Sequence, residues 1–433
     1  MRAKAYSILV AIFFSISGFG FYIARARAVS LTLGADGAET AMDHVSVLYA
    51  SGPGGGAVPM LRVGDSIPGG TISEFGAPYQ LSGGRVLFGA DIIDAGQHES
   101  WDIFIANPAA HGDPQVTRAL EHAAVSPECA PRFIEDPSPV ADTGGAIAFA
   151  APVRSGGDAV FVYRAGELRC VARTGDKTDR GHQIAKFSFG SLQLAASGET
   201  IVANAFVRGG RRAPRAALWW HDDPLAIVEI TSGRPISEIA VEGEIAPGGG
   251  RYAVLGPPAL AGARGEIVFA DDGPGENSVY IYEHGRTRLA LERGSASPGG
   301  AIIYIGQGRP GIASDGTIAL RGASRSREMI MRLDRRGRIR VAATARETAS
   351  APGELASLGD PAVPLGGATI FPALDSSGEQ GIFFSDARGA IHEVDSAPVR
   401  DAAFEIGAPA RHYVATPTLS VAPDGSFCYL GGR

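Results

Sequence analysis

LSGGRVLFGA, from Leu81 to Ala90, sets out a phrase that the 433-residue chain repeats: an apolar approach, a turn containing glycine, then a short β-rich run. The other copies read ADTGGAIAFA (Ala141 to Ala150), AASGETIVANA (Ala195 to Ala205), AGARGEIVFA (Ala261 to Ala270), ASDGTIALRG (Ala313 to Gly322), PLGGATIFPA (Pro364 to Ala373) and APDGSFCYLG (Ala422 to Gly431). The glycines that open the runs are Gly84, Gly145, Gly198, Gly265, Gly316, Gly367 and Gly425, spaced by 61, 53, 67, 51, 51 and 58 residues. Repeats of this length suit a four-stranded antiparallel unit with its turns and exceed a leucine-rich or helical-pair repeat.

Two further landmarks recur in phase. After each of the first six runs comes an aromatic or β-branched strand: Ile103 to Ile105, Val160 to Tyr163, Leu218 to Trp220, Val279 to Tyr282, Ile330 to Leu333 and Ile382 to Phe384. A further strand follows, as in LRCVARTGD (Leu168 to Asp176), RLALERGS (Arg288 to Ser295) and RIRVAATA (Arg338 to Ala345). The seventh run reaches the C-terminus without these two strands, and a matching pair stands at the other end of the chain: HVSVLYA (His44 to Ala50) and VPMLRVGD (Val58 to Asp65). An open array would leave unpaired edges, which invite aggregation. The expected fold is therefore all-β: a seven-bladed β-propeller of four-stranded antiparallel blades, the last closed by two N-terminal and two C-terminal strands.

The links between blades share a G-[DES]-x-x-P-G-G frame at Gly64 to Gly70, Gly243 to Gly249 and Gly294 to Gly300. Proline presets φ and glycine accepts positive φ, so the frame is a turn by mechanism. At this point the chain resembles the bacterial tandem-repeat proteins named for an NxxGxxAF motif, and more loosely the propeller repeats of TolB. The leading Asn is absent from every copy, and the Ala-Phe pair is intact at Ala148-Phe149. The resemblance implies an exported propeller and carries no settled activity.

Composition agrees: 59 glycines and 28 prolines supply many turns, below the level that signals disorder, and 45% hydrophobic residues supply a core. The uninterrupted repeat argues for one propeller domain over residues 44–433, with 29–43 as a lead-in. Residues 1–28 read as a signal peptide: Arg2 and Lys4, an apolar run from Ile8 to Ile23, then Ala24-Arg25-Ala26-Arg27-Ala28, where Ala26 and Ala28 satisfy the small-residue rule. Cleavage after Ala28 predicts a periplasmic or secreted protein with no stable membrane span. The alternative is an inner-membrane protein held by an uncleaved N-terminal segment, although that run is short for a span and carries Arg25 and Arg27 on the wrong flank. Removing residues 1–28 takes four positive charges and no acid, so the net charge falls from −7 to −11. An acidic body excludes nucleic acid as a partner. The arginine clusters at Arg208 to Arg212 and Arg332 to Arg340 lack interleaved aromatics and read as solvated hairpin turns.

Local motifs for chemistry are few. Of the three cysteines, Cys129 and Cys170 belong to one blade and can meet as a disulfide, with burial as separate hydrophobes the competing reading. There is no C-x-x-C or H-E-x-x-H for zinc, no G-x-S-x-G elbow and no P-loop. Gly306-Gln307-Gly308-Arg309-Pro310-Gly311 matches G-x-G-x-x-G, but Pro310 and the following β-run exclude the helix a dinucleotide site requires. No cofactor is expected. Asp65, Asp176 and Glu244 share one place in the blade links and are candidates for a calcium-binding ring, against a simpler role in turns. Trp219 and Trp220 are candidates for a ligand platform, against packing in a core.

These observations point to a monomeric binding or interaction module for a protein, small molecule or glycan. The rival reading is a hydrolase or lyase with polar groups gathered at the mouth of the axial channel, since a propeller assembles sites from distant blades.

Overall fold

The computed structural model describes residues 46–432 apart from 53–55, 109–112, 122, 125–128, 210–222, 262–264, 274–275, 307, 346–353, 364–367, 376–379, 387–388 and 396–418. By internal contacts the chain divides into Met1–Asp43 and His44–Arg433. Its strands form seven antiparallel sheets arranged as a β-propeller. The signal-peptide reading falls outside the described residues.

Each β-run is the second strand of its blade. In blade two the order from the axis outward is Val140–Ala141, Ile147–Pro152, Asp158–Arg164 and Glu167–Arg173. Blade one is built around Val86–Ile93, blade three around Thr200–Arg208, blade four around Ile267–Gly273, blade five around Ile318–Ser324 and blade six around Thr369–Asp375. Blade seven has the order Leu419–Val421, Phe427–Gly432, Ser46–Ala50, Val58–Arg62, so two strands from each end of the chain complete it. Six of the seven turn glycines enter their runs through the left-handed region, from φ 69° at Gly198 and Gly265 to 85° at Gly145 and Gly425, which is why glycine recurs there; Gly367 lies outside the described residues. Blade three departs from expectation: the strand paired with Thr200–Arg208 is Leu225–Thr231, downstream of Leu218 to Trp220.

Period-two alternation along each run feeds two different cores. In blade two, Ala146, Ala148 and Ala150 face blade three, whereas Ile147, Phe149 and Ala151 face blade one. The same partition around the ring gives seven apolar clusters, one at every blade-to-blade interface, including those that join blade seven to blades six and one. At one cross-strand position an aromatic pair stacks in blades one, two, four, six and seven: Phe88 on Phe104, Phe149 on Phe161, Phe269 on Tyr280, Phe371 on Phe383 and Tyr49 on Tyr429. Each such pair adds about 0.5–1.5 kcal/mol beyond the area it buries. Blade five uses Leu320 against Met331 and blade three Ala203 against Val228.

The second arginine cluster is not simply a solvated turn. Arg332 is buried and donates from Nε to Thr369 Oγ1 at 2.7 Å, from Nη1 to Asp386 O at 2.9 Å and from Nη2 to Ser385 O at 2.6 Å, bracing blade five against blade six. Arg335 pairs with Glu266 of blade four. A guanidinium carries enough donors to satisfy several carbonyls at a seam, which explains its burial there. No helix among the described residues is long and apolar enough to cross a membrane.

Candidate functional site

The innermost strand, which borders the axis, is broken in its middle. In blade one Gly70–Phe75 and Tyr79–Gln80 pair with opposite ends of Val86–Ile93. Blade three repeats this with Gln183–Phe187 and Gln193–Leu194, and blade five with Gly300–Ile305 and Gly311–Ile312. Blade six has Leu355–Leu358 and then a lone bridge from Ala362 to Ile370. The breaks hold residues that cannot continue a ladder: Gly76-Ala77-Pro78, Gly256-Pro257-Pro258, Gly308-Arg309-Pro310 and Gly359-Asp360-Pro361. They lie at one height, because the same backbone bond precedes each: Gly76 N to Gly89 O, Ser188 N to Asn204 O, Gly256 N to Ala270 O, Gly306 N to Arg321 O and Gly359 N to Pro372 O, all at 2.8–2.9 Å.

Polar side chains from an adjoining blade hold two of these breaks. Asp136 accepts from Ala77 N at 3.1 Å and from Ser138 N at 2.8 Å, and lies so close to Gly76 that a Cβ there would sit 2.2 Å from its Oδ1. Asp360 is seated on Gly308 in the same way, 1.7 Å from where a Cβ would be, so both positions require glycine. Asn277 of blade four donates to Ile305 O at 2.8 Å and accepts from Ile305 N.

Arg309 is the exception to this neighbour-to-neighbour pattern. Its Nη2 donates to Gly190 O at 2.8 Å. Gly190 belongs to the break of blade three, and blade four stands between it and blade five, so the side chain makes this contact through the axial space. Tyr79 of blade one is an electrostatic neighbour of Arg309 and of the Asp142 carboxylate, and its ring packs on both the one–two and two–three cores. The three blades therefore meet at this point. Arg309 Nε is sealed from solvent and has no hydrogen-bond partner among the described residues. The residue as a whole is half-buried, as expected for a side chain lining a narrow passage. Burial lowers the guanidinium to about 10, so it stays charged at neutral pH, while burial raises the Tyr79 phenol to about 12 despite Arg309. The Asp360 carboxyl is raised by burial and by Glu328 and lowered by Arg321, which is its electrostatic counterpart.

The residues singled out by sequence are dispersed. Asp65 Oδ2 accepts from Arg62 N and Asp176 Oδ2 from Arg173 N, both at 2.8 Å, each closing its own turn. Glu244 meets Arg180 Nη1 at 2.6 Å. No three metal-ligating side chains converge among the described residues. Cys129 and Cys170 are joined as a disulfide with Cα atoms 6.2 Å apart, and Cys428 is a buried thiol. Trp219 and Trp220 lie outside the described residues. A histidine–carboxylate pair is present: His182 Nδ1 lies 2.8 Å from Glu238 Oε2, with Glu238 fully buried. It joins the link after blade two to the outermost strand of blade three, Ser237–Val241, far from the axis in blade order. The residue missed by sequence is Arg309, although the G-x-G-x-x-G match brought its segment to notice.

The chain is similar in outline to several solved structures. Porphyromonas gingivalis dipeptidyl peptidase 4 matches 78% of this chain and 50% of its own at 12% identity and a TM-score of 0.42. A hypothetical selenium-binding protein from Sulfolobus tokodaii matches 82% of this chain and 91% of its own at 9% and 0.40. The Aleuria aurantia lectin matches 77% and 96% at 10% and 0.34. The chain thus spans about half the length of the peptidase. The fold assignment rests on the strand pairing, and no curated protein matches at a significant level. A family model described as a family of unknown function (DUF7453) matches residues 35–398, and the chain belongs to that family.

Proposed function

We propose that the protein is an exported binding module that holds a small molecule or glycan on the propeller axis, at the level of the inner-strand breaks. Arg309 carries this reading. A donor buried without a partner costs about 1–3 kcal/mol. The breaks of blades one and five are also held by short polar side chains of adjoining blades, Asp136 and Asn277, without a guanidinium, so the fold itself does not call for one spanning blades five and three. A ligand that accepts from the part of the guanidinium that this half-buried side chain still shows to solvent would pair the cation, and the rigid ring would keep it in place. Catalysis is not supported by an equivalent arrangement: the histidine–carboxylate pair belongs to the rim, and no hydroxyl or thiol among the described residues bonds to that imidazole.

Export is supported by the charged, apolar and small-residue regions of residues 1–28 and by the Cys129–Cys170 disulfide, which persists in an oxidising compartment. The resemblance to NxxGxxAF-type repeat proteins points the same way. Native mass spectrometry after incubation with a periplasmic small-molecule extract tests the reading. A retained adduct that is released unchanged supports a binding module. Turnover of the bound species to a new mass would instead establish the hydrolase or lyase reading.

A further inference from the structure

We infer that the outermost strands of the blades are guarded against strand addition by a β-bulge set at one register, and that the extra residue of each bulge clamps the next blade. The inference concerns the rim of the propeller and goes beyond the axial binding reading.

In six of the seven blades the pairing between the third and the outermost strand slips by one residue, and it slips at the same level each time. In blade four Tyr280 faces Leu289 and Val279 faces Leu291, so Ala290 is left over; in blade five Met331 faces Val341 and Ile330 faces Ala343, leaving Ala342. The residues passed over in the other four are Met60, Val171, Ile239 and Val394. Each slip falls at the third-strand residue of the cross-strand stack, such as Tyr49, Phe161 or Phe383. A bulge of this kind leaves its extra residue unpaired, bends the strand and increases its twist.

The slip also decides where side chains go. On an unbroken strand neighbours point to opposite faces. Across these bulges two neighbours share a face: Met60 and Leu61 pack between blades seven and one, Ile239 and Ala240 between three and four, and Ala342 and Ala343 between five and six. Val171 with Ala172 and Ala290 with Leu291 do the same between blades two and three and between four and five. Each time the shared face is the one turned to the following blade. Plain alternation would send one member of each pair away from that core.

A sheet edge presents unpaired backbone groups that template pairing with another chain, and a bulge is one of the ways a native edge is closed. The chain's own links cover the edges of blades two and three, where Ala124 bridges Glu167 and Thr178 bridges Ile236, both in parallel. Among the described residues no such bridge covers blades four and five, although their outermost strands, Arg286–Glu292 and Ile339–Ala345, are seven residues long. There the bulge interrupts a ladder otherwise long enough to pair with a second copy of this chain.

Deleting Ala290 tests the guard. Leu289 and Leu291 already hold their partners on either side of it, so its removal leaves every other pair of blade four in register. In sedimentation velocity the parent protein should run as a monomer at low and high micromolar concentration. The Ala290 deletion should shift towards dimer mass as concentration rises, through antiparallel pairing of two blade-four edges about a two-fold axis. Deleting Ala342 should do the same through blade five, whereas Ala290→Gly keeps the bulge and should remain monomeric. Deletion variants that keep the circular dichroism of the parent and stay monomeric overturn the guard, as does a parent protein or an Ala290→Gly variant that dimerises. If the Ala290 deletion does not fold, the Ala342 deletion decides by the same readout. Failure of both to fold, with Ala290→Gly folding normally, would make the bulge a requirement of packing alone and overturn the proposal.

Discussion

Tyr49 lies flat on Tyr429, with ring centroids 5.0 Å apart and planes within 8°, so the ring is closed by a stack between the first and last strands described. The two residues face each other across the antiparallel pair Ser46–Ala50 and Phe427–Gly432, and both are buried. Tyr49→Ala should therefore cost about 3–5 kcal/mol, as for other large aromatic truncations in cores. Deleting residues 29–65 should be more severe, leaving blade seven with two strands and an exposed edge. Urea denaturation checks the first and size-exclusion chromatography the second. A truncated protein that remains monomeric with an unchanged unfolding transition would contradict closure by these strands.

The blades were legible because two local signals coincide: a glycine with positive φ and a run alternating between two apolar faces. Closure was legible by counting strands. The inner-strand breaks were not, because Gly-Ala-Pro or Gly-Asp-Pro reads locally as a loop, and only pairing with the next run shows that both flanking pieces belong to one strand. Their recurrence a short way before each run was the available signal. Arg309 was illegible for a different reason: its partners, Gly190 and Tyr79, are supplied by blades two and three positions away around the ring. In blade three, the tryptophans at 219 and 220 drew the strand expectation upstream of the apolar Leu225–Thr231 that pairs.

Two arginines close together in sequence should respond very differently to truncation. Arg332→Met strands three acceptors at the seam of blades five and six and should cost about 3 kcal/mol. Arg338 meets Asp334 at 2.7 Å on an exposed hairpin, and Arg338→Met should leave stability nearly unchanged. Chemical denaturation of the two variants side by side checks this, and equal losses would contradict the bracing role.

The Cys129–Cys170 disulfide closes a loop of 41 residues within blade two. Replacing both by serine should lower stability by about 3–4 kcal/mol on the loop-entropy estimate. Cys428 is buried, and burial raises its thiol well above the ordinary range, so it should resist alkylation until the protein unfolds. Mass spectrometry after iodoacetamide treatment, with and without urea, reads both the free thiol and the bridge.

Asp65 and Asp176 should behave as turn caps. Replacing each by alanine removes one acceptor from a backbone N–H and should cost about 0.5–1.5 kcal/mol. The triple change Asp65→Asn, Asp176→Asn and Glu244→Gln removes three charges while keeping most hydrogen-bonding capacity, and should leave a calcium titration of the protein unchanged. Micromolar calcium binding that the triple variant loses would restore the ring of ligands.

Glu242 gives the stability of the fold a defined dependence on pH. Its carboxyl is almost fully buried, accepts from Leu225 N at 2.8 Å and Leu255 N at 3.3 Å, and faces the charge of Asp271. Burial outweighs the two hydrogen bonds and raises it from 4.5 to about 7. The folded protein then keeps a proton that the unfolded chain releases, so the stability from the neutral form is complete below pH about 4.5 and is lost as pH rises towards 7, by about 3 kcal/mol in all. Glu242→Gln cannot ionise, so this part of the slope should vanish. Gln also turns an amide N–H₂ towards one of the two backbone donors, so the variant should be clearly less stable than the parent at pH 5. At pH 8 the gap should narrow, because the parent has by then lost its advantage while the variant has not. Other buried acids, Asp102 and Asp360 among them, are shifted upward by burial and slope the same way in both proteins. The difference between parent and variant urea midpoints at the two pH values therefore isolates Glu242, and a gap that does not change with pH would show that this carboxyl is ionised in the fold.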